Sequence, residues 1–134
     1  MVYNVLHQLE ELIMALQILV TKESLQNMID EACFERQQHI IGRALVAIFE
    51  RQTASEKHAL QAEEDNGIGF AGCDAKGGSL TAKSYMKRKA LMEWQVAKWT
   101  KLSPTSGFAR ICKYAGQLNQ IANEKHQQQL KLDV

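Results

Sequence analysis

The chain has a single proline, Pro104, among its 134 residues, and few runs of β-branched side chains. Ala, Leu, Gln, Lys and Glu dominate instead, and these residues favour helices. No stretch approaches the roughly 20 consecutive apolar residues that a membrane-spanning helix needs. We therefore expect an all-α protein that does not act in a membrane.

Cysteine is also scarce. Cys33, Cys73 and Cys112 are widely separated, which is typical neither of a disulfide framework nor of a zinc site. The N-terminal residues lack the pattern of a secretory signal, because Glu10 and Glu11 interrupt their apolar run. A reducing cytoplasm is the expected location.

The sequence contains no motif that fixes a reaction. It has no HExxH, no nucleophile elbow and no paired carboxylates at metal-binding spacing. Glu56 and His58 are two positions apart and would point to different faces of a helix. We expect a non-enzyme without metal or cofactor.

Hydrophobic periodicity predicts one compact domain of about five helices over residues 1–134. An acidic helical half covers 1–65, a Gly-rich loop 66–78 and a basic helical half 79–128. A break is expected around Arg36 to His39, where the apolar phase slips. The helix after the loop is expected to begin at Ser79 or Thr81, with Leu80, Tyr85 and Met86 as its apolar anchors, and the last helix to run from about Phe108 to Gln128.

The first predicted helix has apolar residues at alternating spacings of four and three. This stripe is broader than a coiled-coil seam, so it indicates a core helix, with a homodimer interface as the alternative. The candidate seam residues are Leu6, Leu9, Ile13, Leu16 and Val20.

The central loop has five glycines in thirteen residues, which permits tight turns. Its spacing matches no phosphate-binding fingerprint, so a connector with Phe70 inserted into the core is preferred over a phosphate cradle. A polar clamp between this loop and the preceding helix is the structural interpretation of seven residues, namely Arg51, Gln52, Asn66, Gly67, Gly69, Phe70 and Asp74.

The near-neutral total charge of +1 conceals a division between the two halves. Residues 1–65 have eleven acidic and five basic side chains, whereas residues 66–134 have four acidic and eleven basic ones. Such a basic segment is a candidate surface for phosphate or for an acidic protein. The candidate partner-binding or nucleic-acid-binding residues are Lys83, Lys87, Arg88, Lys98, Lys101, Arg110 and Lys113.

Over about residues 43–123 the chain also carries a set of short motifs, namely RQTxxE from Arg51, NGxGF from Asn66, Asp74-Ala75, KALxxxQVAxW from Lys89 and KYAGQL from Lys113. As a set they resemble small uncharacterised proteins carried by bacterial phages, plasmids and integrated elements. Met92, Glu93 and Trp94 stand where that group commonly has Thr-Pro-Lys, so the helix start differs. The resemblance implies an accessory role in a bacterial host and supplies no mechanism.

Two binding functions follow. The preferred hypothesis is a non-catalytic inhibitor of a host protein or defence complex, of which an anti-CRISPR is one form. Its acidic stretch Glu56–Asp65 would mimic nucleic acid, and its basic helices would meet an acidic groove. The alternative is DNA or RNA binding by the basic helices, with Trp94 or Trp99 available for stacking if exposed.

Overall fold

Five α-helices and one short 3₁₀ helix make up most of the chain that the computed structural model describes, residues 19–58 and 69–132. The predicted compact all-α bundle is confirmed. Within the described ranges the only extended pairing is an isolated antiparallel bridge between Leu102 and Ala109. The elements in chain order are α1 (Lys22–Glu31), α2 (Phe34–His58), α3 (Ala75–Arg88), α4 (Glu93–Thr100), the 3₁₀ helix (Arg110–Tyr114) and α5 (Ala115–Leu132).

The break between α1 and α2 lies at Ala32 and Cys33 rather than at the predicted Arg36 to His39. Ala32 has an extended backbone, and the Gln37 side chain donates a hydrogen bond of 2.8 Å to the carbonyl oxygen of Ile29. A polar side chain from the next helix thus satisfies the end of α1. The slip in apolar phase that suggested a later break does not interrupt α2, which is continuous from Phe34 to His58.

Helix α2 packs closely on α3 at Gly42. A Cβ atom there would collide with the ring of Tyr85, so only glycine allows this approach. The Tyr85 hydroxyl lies 2.9 Å from Nδ1 of His39, which gives the buried ring a polar partner. Ile41, Leu45 and Ile48 on the same helix are fully buried in the common core.

Helix α3 begins at Ala75, four residues before the predicted Ser79, so Gly77 and Gly78 are helical rather than part of the loop. Glycine is a poor helix former, but a Cβ at Gly78 would lie 2.6 Å from the Phe70 ring. Packing against Phe70 therefore explains a residue whose propensity suggested a loop.

Two of the predicted apolar anchors of α3 are wrong. Leu80 is 58% exposed and Met86 is 42% exposed, whereas Tyr85 is buried. On α4 the two tryptophans also differ, because Trp99 is fully buried and Trp94 is 63% exposed.

Of the candidate dimer seam, only Val20 lies within the described residues; Leu6, Leu9, Ile13 and Leu16 lie outside them. Val20 packs against the core, and its backbone N–H donates a hydrogen bond of 2.8 Å to Asn119. No helix in the described part of the chain combines the length and apolar character required to cross a bilayer.

Candidate anion-binding cleft

A buried carboxylate organises the basic half of the molecule. Asp74 occupies the N-cap position of α3, but its side chain makes no capping hydrogen bond. It points instead toward the 3₁₀ helix, where it accepts hydrogen bonds from Arg110 (Nε, 2.8 Å) and the Tyr114 hydroxyl (2.6 Å). Lys113 Nζ lies 2.5 Å from its Oδ2 atom. The Asp74 side chain has no exposed surface, so these partners replace its lost hydration.

The electrostatic balance at Asp74 has opposing contributions. Burial by itself would raise the pKa of this carboxyl, but the hydrogen bonds from Lys113, Tyr114 and Arg110 outweigh it, and the pKa is lowered. The pKa of Tyr114 is raised by burial and by its bond to Asp74. The hydrogen bond to Asp74 likewise raises the pKa of Arg110. The network therefore holds one ionised carboxylate, a neutral phenol and two cations.

The 3₁₀ helix is what brings both cations to the same carboxylate. With three residues per turn, the side chains of Arg110 and Lys113 lie above one another on one face. The predicted last helix spanned this region as a regular α-helix, but α5 begins only at Ala115. The exposed parts of both cations, 38% for Arg110 and 41% for Lys113, remain available to solvent.

The described end of the Gly-rich loop is held by amide side chains. Phe70 donates its backbone N–H to Oε1 of Gln52 at 2.9 Å. Gln117 on α5 bonds both the N–H and the carbonyl of Gly69, each at 2.9 Å, while Gly69 has a positive φ of 88°. Phe70 is buried and packs edge-on against the Tyr114 ring. Asn66 and Gly67, the other two predicted clamp residues of this loop, lie outside the described residues.

Arg51 makes no hydrogen bond to the described part of the loop, residues 69–78. Its guanidinium donates to Gln120 at 3.0 Å and lies 4.0 Å from Glu124, so it links α2 to α5. Gln117, which does bind the loop, was missed as a clamp residue although it belongs to the KYAGQL motif. Its place in that motif gave no sign of a contact with Gly69, which lies 48 positions earlier in the chain.

Next to this network, the segment between α4 and the 3₁₀ helix folds back on itself. The Leu102–Ala109 bridge closes the segment, and Arg110 donates its backbone N–H to the carbonyl of Lys101 at 3.0 Å. The side chain of Gln26 on α1 holds this segment by accepting a hydrogen bond of 2.7 Å from the backbone N–H of Ala109. The chain thereby places the end of α4 beside the start of the 3₁₀ helix.

A cleft of about 550 Å³ lies at this junction. Its lining mixes cations with the hydroxyl side chains of Ser103, Thr105 and Ser106 and with apolar groups. Within the described part of the chain, no carboxylate lines it. The five cations of the lining are Lys22, Lys98, Lys101, Arg110 and Lys113. Asp74 compensates part of this charge through its ion pairs with Arg110 and Lys113, and the lining keeps a net positive charge.

The cleft gathers four of the seven predicted partner-binding cations, namely Lys98, Lys101, Arg110 and Lys113. Lys83, Lys87 and Arg88 are exposed on α3 and do not line it. Lys22 was missed because it lies in the half of the sequence that is acidic overall. Only the fold brings α1 beside the loop at Ser103.

The aromatic groups around the cleft have two distinct positions. The buried Trp99 ring lies under two cleft cations, 5.7 Å from Lys98 Nζ and 5.6 Å from Arg110 Cζ. Exposed Trp94 precedes Lys98 by four residues and Lys101 by seven. Trp94 and Lys98 therefore share one stripe of α4 that leads to the cleft, and Lys101 follows directly after the helix.

No metal-binding group of three His, Cys, Asp or Glu side chains occurs among the described residues. All three cysteines are unpaired, and burial raises the pKa of Cys112. His39 lies within hydrogen-bond distance of the Tyr85 hydroxyl and does not line the cleft.

No family model, curated protein or solved structure matches this chain.

Proposed function

We propose that this protein binds nucleic acid through the cleft between α4 and the 3₁₀ helix. The observation that carries the proposal is the convergence of five cations on one concave surface, with no carboxylate among the described residues that line it. Phosphate groups spaced along a nucleic acid are the anions that such a row of lysines and arginines suits best. The neighbouring serine and threonine hydroxyls are further donors for phosphate oxygens.

This proposal adopts the second of the two sequence-based hypotheses. The nucleic-acid alternative is preferred here because four of its predicted residues share the cleft and Trp94 is exposed. The inhibitor hypothesis depends partly on the acidic stretch Glu56–Asp65, whose side chains lie outside the described ones. The basic helices alone support nucleic acid more directly.

The direct test compares two charge reversals. Lys98→Glu with Lys101→Glu changes the cleft, and Lys83→Glu with Lys87→Glu changes an equally exposed pair on α3. Fluorescence anisotropy with labelled DNA and RNA at low salt should detect binding by the wild type. The cleft variant should lose at least about tenfold in affinity, and its salt slope should fall by about 0.7 to 0.9 for each of the two phosphate contacts removed.

The α3 variant is the matched control and should bind within about threefold of the wild type, since its two lysines lie outside the cleft. Absence of wild-type binding at low salt would reject the proposal. Equal losses in both variants would also reject it, because they would indicate general charge attraction without a site.

A second proposal keeps the inhibitor function. An exposed tryptophan is typical of protein-binding hot spots, and an acidic protein segment also suits a cationic cleft. In this form the protein is a mobile-element accessory factor in the bacterial cytoplasm that occupies a host protein or defence complex, with an anti-CRISPR as one case. Affinity capture from host lysate with and without nuclease separates the proposals. A stoichiometric protein complex that survives nuclease would favour the inhibitor.

A further inference from the structure

A duplex cannot enter the cleft. At about 550 Å³ it has the size of a pocket for a small ligand, which accommodates one or two nucleotide units but not a double helix. A duplex would contact only its rim. An unpaired strand can bend into it and bring its phosphates to Lys98, Lys101 and Arg110 together.

The lining is also suited to more than phosphate. Leu102, Pro104 and Phe108 contribute apolar surface between the cations, and Leu102 is 55% exposed. A duplex presents only phosphates and sugars along its backbone, so these apolar groups would have no partner there. An unpaired strand has exposed base faces that can cover them.

Trp94 extends this surface along α4. It is 63% exposed and precedes Lys98 by one helical turn, so the two side chains are neighbours on the helix surface. Exposed tryptophan beside a track of cations is the arrangement on which bases of single strands stack. Trp99, the other tryptophan, is fully buried and cannot serve in this way.

We propose that the ligand is single-stranded nucleic acid, with one base stacked on Trp94 and the adjoining phosphates held by Lys98 and Lys101 in the cleft. The inference rests on the proposed nucleic-acid function and narrows its substrate class. Stacking on one aromatic side chain does not discriminate among bases, so we expect weak sequence preference.

The experiment measures the affinity of the full chain for five probes at one low salt concentration. Four are nucleic acids with strands of about ten nucleotides, namely a single-stranded DNA, a single-stranded RNA, a DNA duplex and an abasic DNA strand. The fifth probe is poly-glutamate. The single strands should bind at least about tenfold more tightly than the duplex and the abasic strand. Comparison of the DNA and RNA arms assigns the natural strand type. Native tryptophan fluorescence should be quenched only by the single-stranded DNA and RNA that carry bases.

Two substitutions separate stacking from charge. Trp94→Ala should weaken single-strand binding by about tenfold, leave the salt slope unchanged and scarcely affect the abasic strand. Lys98→Ala should instead lower the salt slope by about 0.7 and weaken binding of both the single strand and the abasic strand. Phe34→Ala, which removes another exposed aromatic ring away from the cleft, is the control and should change neither quantity. Circular dichroism of each variant checks that it is folded.

Equal affinity for duplex and single strand, with Trp94→Ala unchanged, would overturn this inference and leave the proposed nucleic-acid function in place. Failure to bind any nucleic acid would overturn both. Poly-glutamate binding as tight as that of the oligonucleotides would also overturn both and assign the cleft to an acidic protein.

Discussion

Two groups of cations on the same molecule differ in how the fold holds them. One group projects from α3 and consists of Lys83, Lys87 and Arg88. The Nζ atom of Lys83 lies 5.6 Å from the centroid of the Phe49 ring. Arg110 and Lys113 are held from behind by a buried carboxylate and face a cleft. Regular spacing of lysines on a helix surface needs no ligand to explain it. Convergence of cations from three separate segments does suggest one, because mutual repulsion disfavours it otherwise.

The buried carboxylate at Asp74 explains how the cleft tolerates this concentration of charge. It compensates Arg110 and Lys113 on the side away from solvent, which lowers the electrostatic cost of placing them together. Its position is fixed by the turn before α3, through a hydrogen bond of 2.9 Å from its N–H to the carbonyl of Ala71. Among the residues that the structure describes, no buried carboxylate supports the group on α3, so the two groups should respond differently to substitution.

The largest expected effect on stability is that of Asp74→Asn. The buried Tyr114 hydroxyl and both cations lose their charged acceptor, and the new amide N–H groups would face donors. We expect the free energy of unfolding to fall by about 2–4 kcal/mol, since Arg110 and Lys113 can still be solvated. Urea denaturation measures this loss. Asp30→Asn on α1, an exposed carboxylate, is the control and should cost less than about 0.5 kcal/mol.

The same variant has a defined pH dependence. The pKa of Asp74 is lowered by folding, so its contribution is complete above the unfolded value of about 3.9 and is lost as the pH falls through the folded value. The stability gap between wild type and Asp74→Asn should therefore be constant near neutral pH and shrink below about pH 4. A gap that stays constant into strong acid would contradict an ionised Asp74.

Only part of this difference between the two groups of cations could be predicted from the sequence. Helical class and the basic character of Lys98, Lys101, Arg110 and Lys113 follow from composition and local spacing, which depend on near neighbours. The pairing of Asp74 with Arg110 depends on contact between residues 36 positions apart, and the inclusion of Lys22 on packing of α1 against the loop at Ser103. Local patterns carry no information about such contacts. The start of α3 was misplaced because glycine propensity was given more weight than packing against Phe70.

Gly78→Ala would disturb the support of the cleft from the core side. Its Cβ would lie 2.6 Å from the Phe70 ring, which packs in turn on Tyr114, the hydroxyl donor to Asp74. We expect a loss of about 1–3 kcal/mol in the free energy of unfolding, despite the better helix propensity of alanine. Gly116→Ala on α5 is the matched control, because its Cβ would meet no atom within 4 Å. That control should be neutral or stabilising by up to about 1 kcal/mol, and destabilisation of both variants alike would show that packing at Phe70 is not the cause.

The smallest effects compare one lysine from each group. Lys113→Met keeps the length of the side chain but removes its charge from Asp74, which retains Arg110 and Tyr114, so we expect a loss of about 1–2 kcal/mol. Lys83→Met removes a cation above Phe49, and methionine packs well on aromatic rings, so its cost should stay below about 0.5 kcal/mol. Thermal and urea unfolding of both proteins at neutral pH measure the difference. Equal costs would mean that the ion pair at Asp74 contributes no more than a surface contact, and the contrast between the two groups of cations would then be one of position alone.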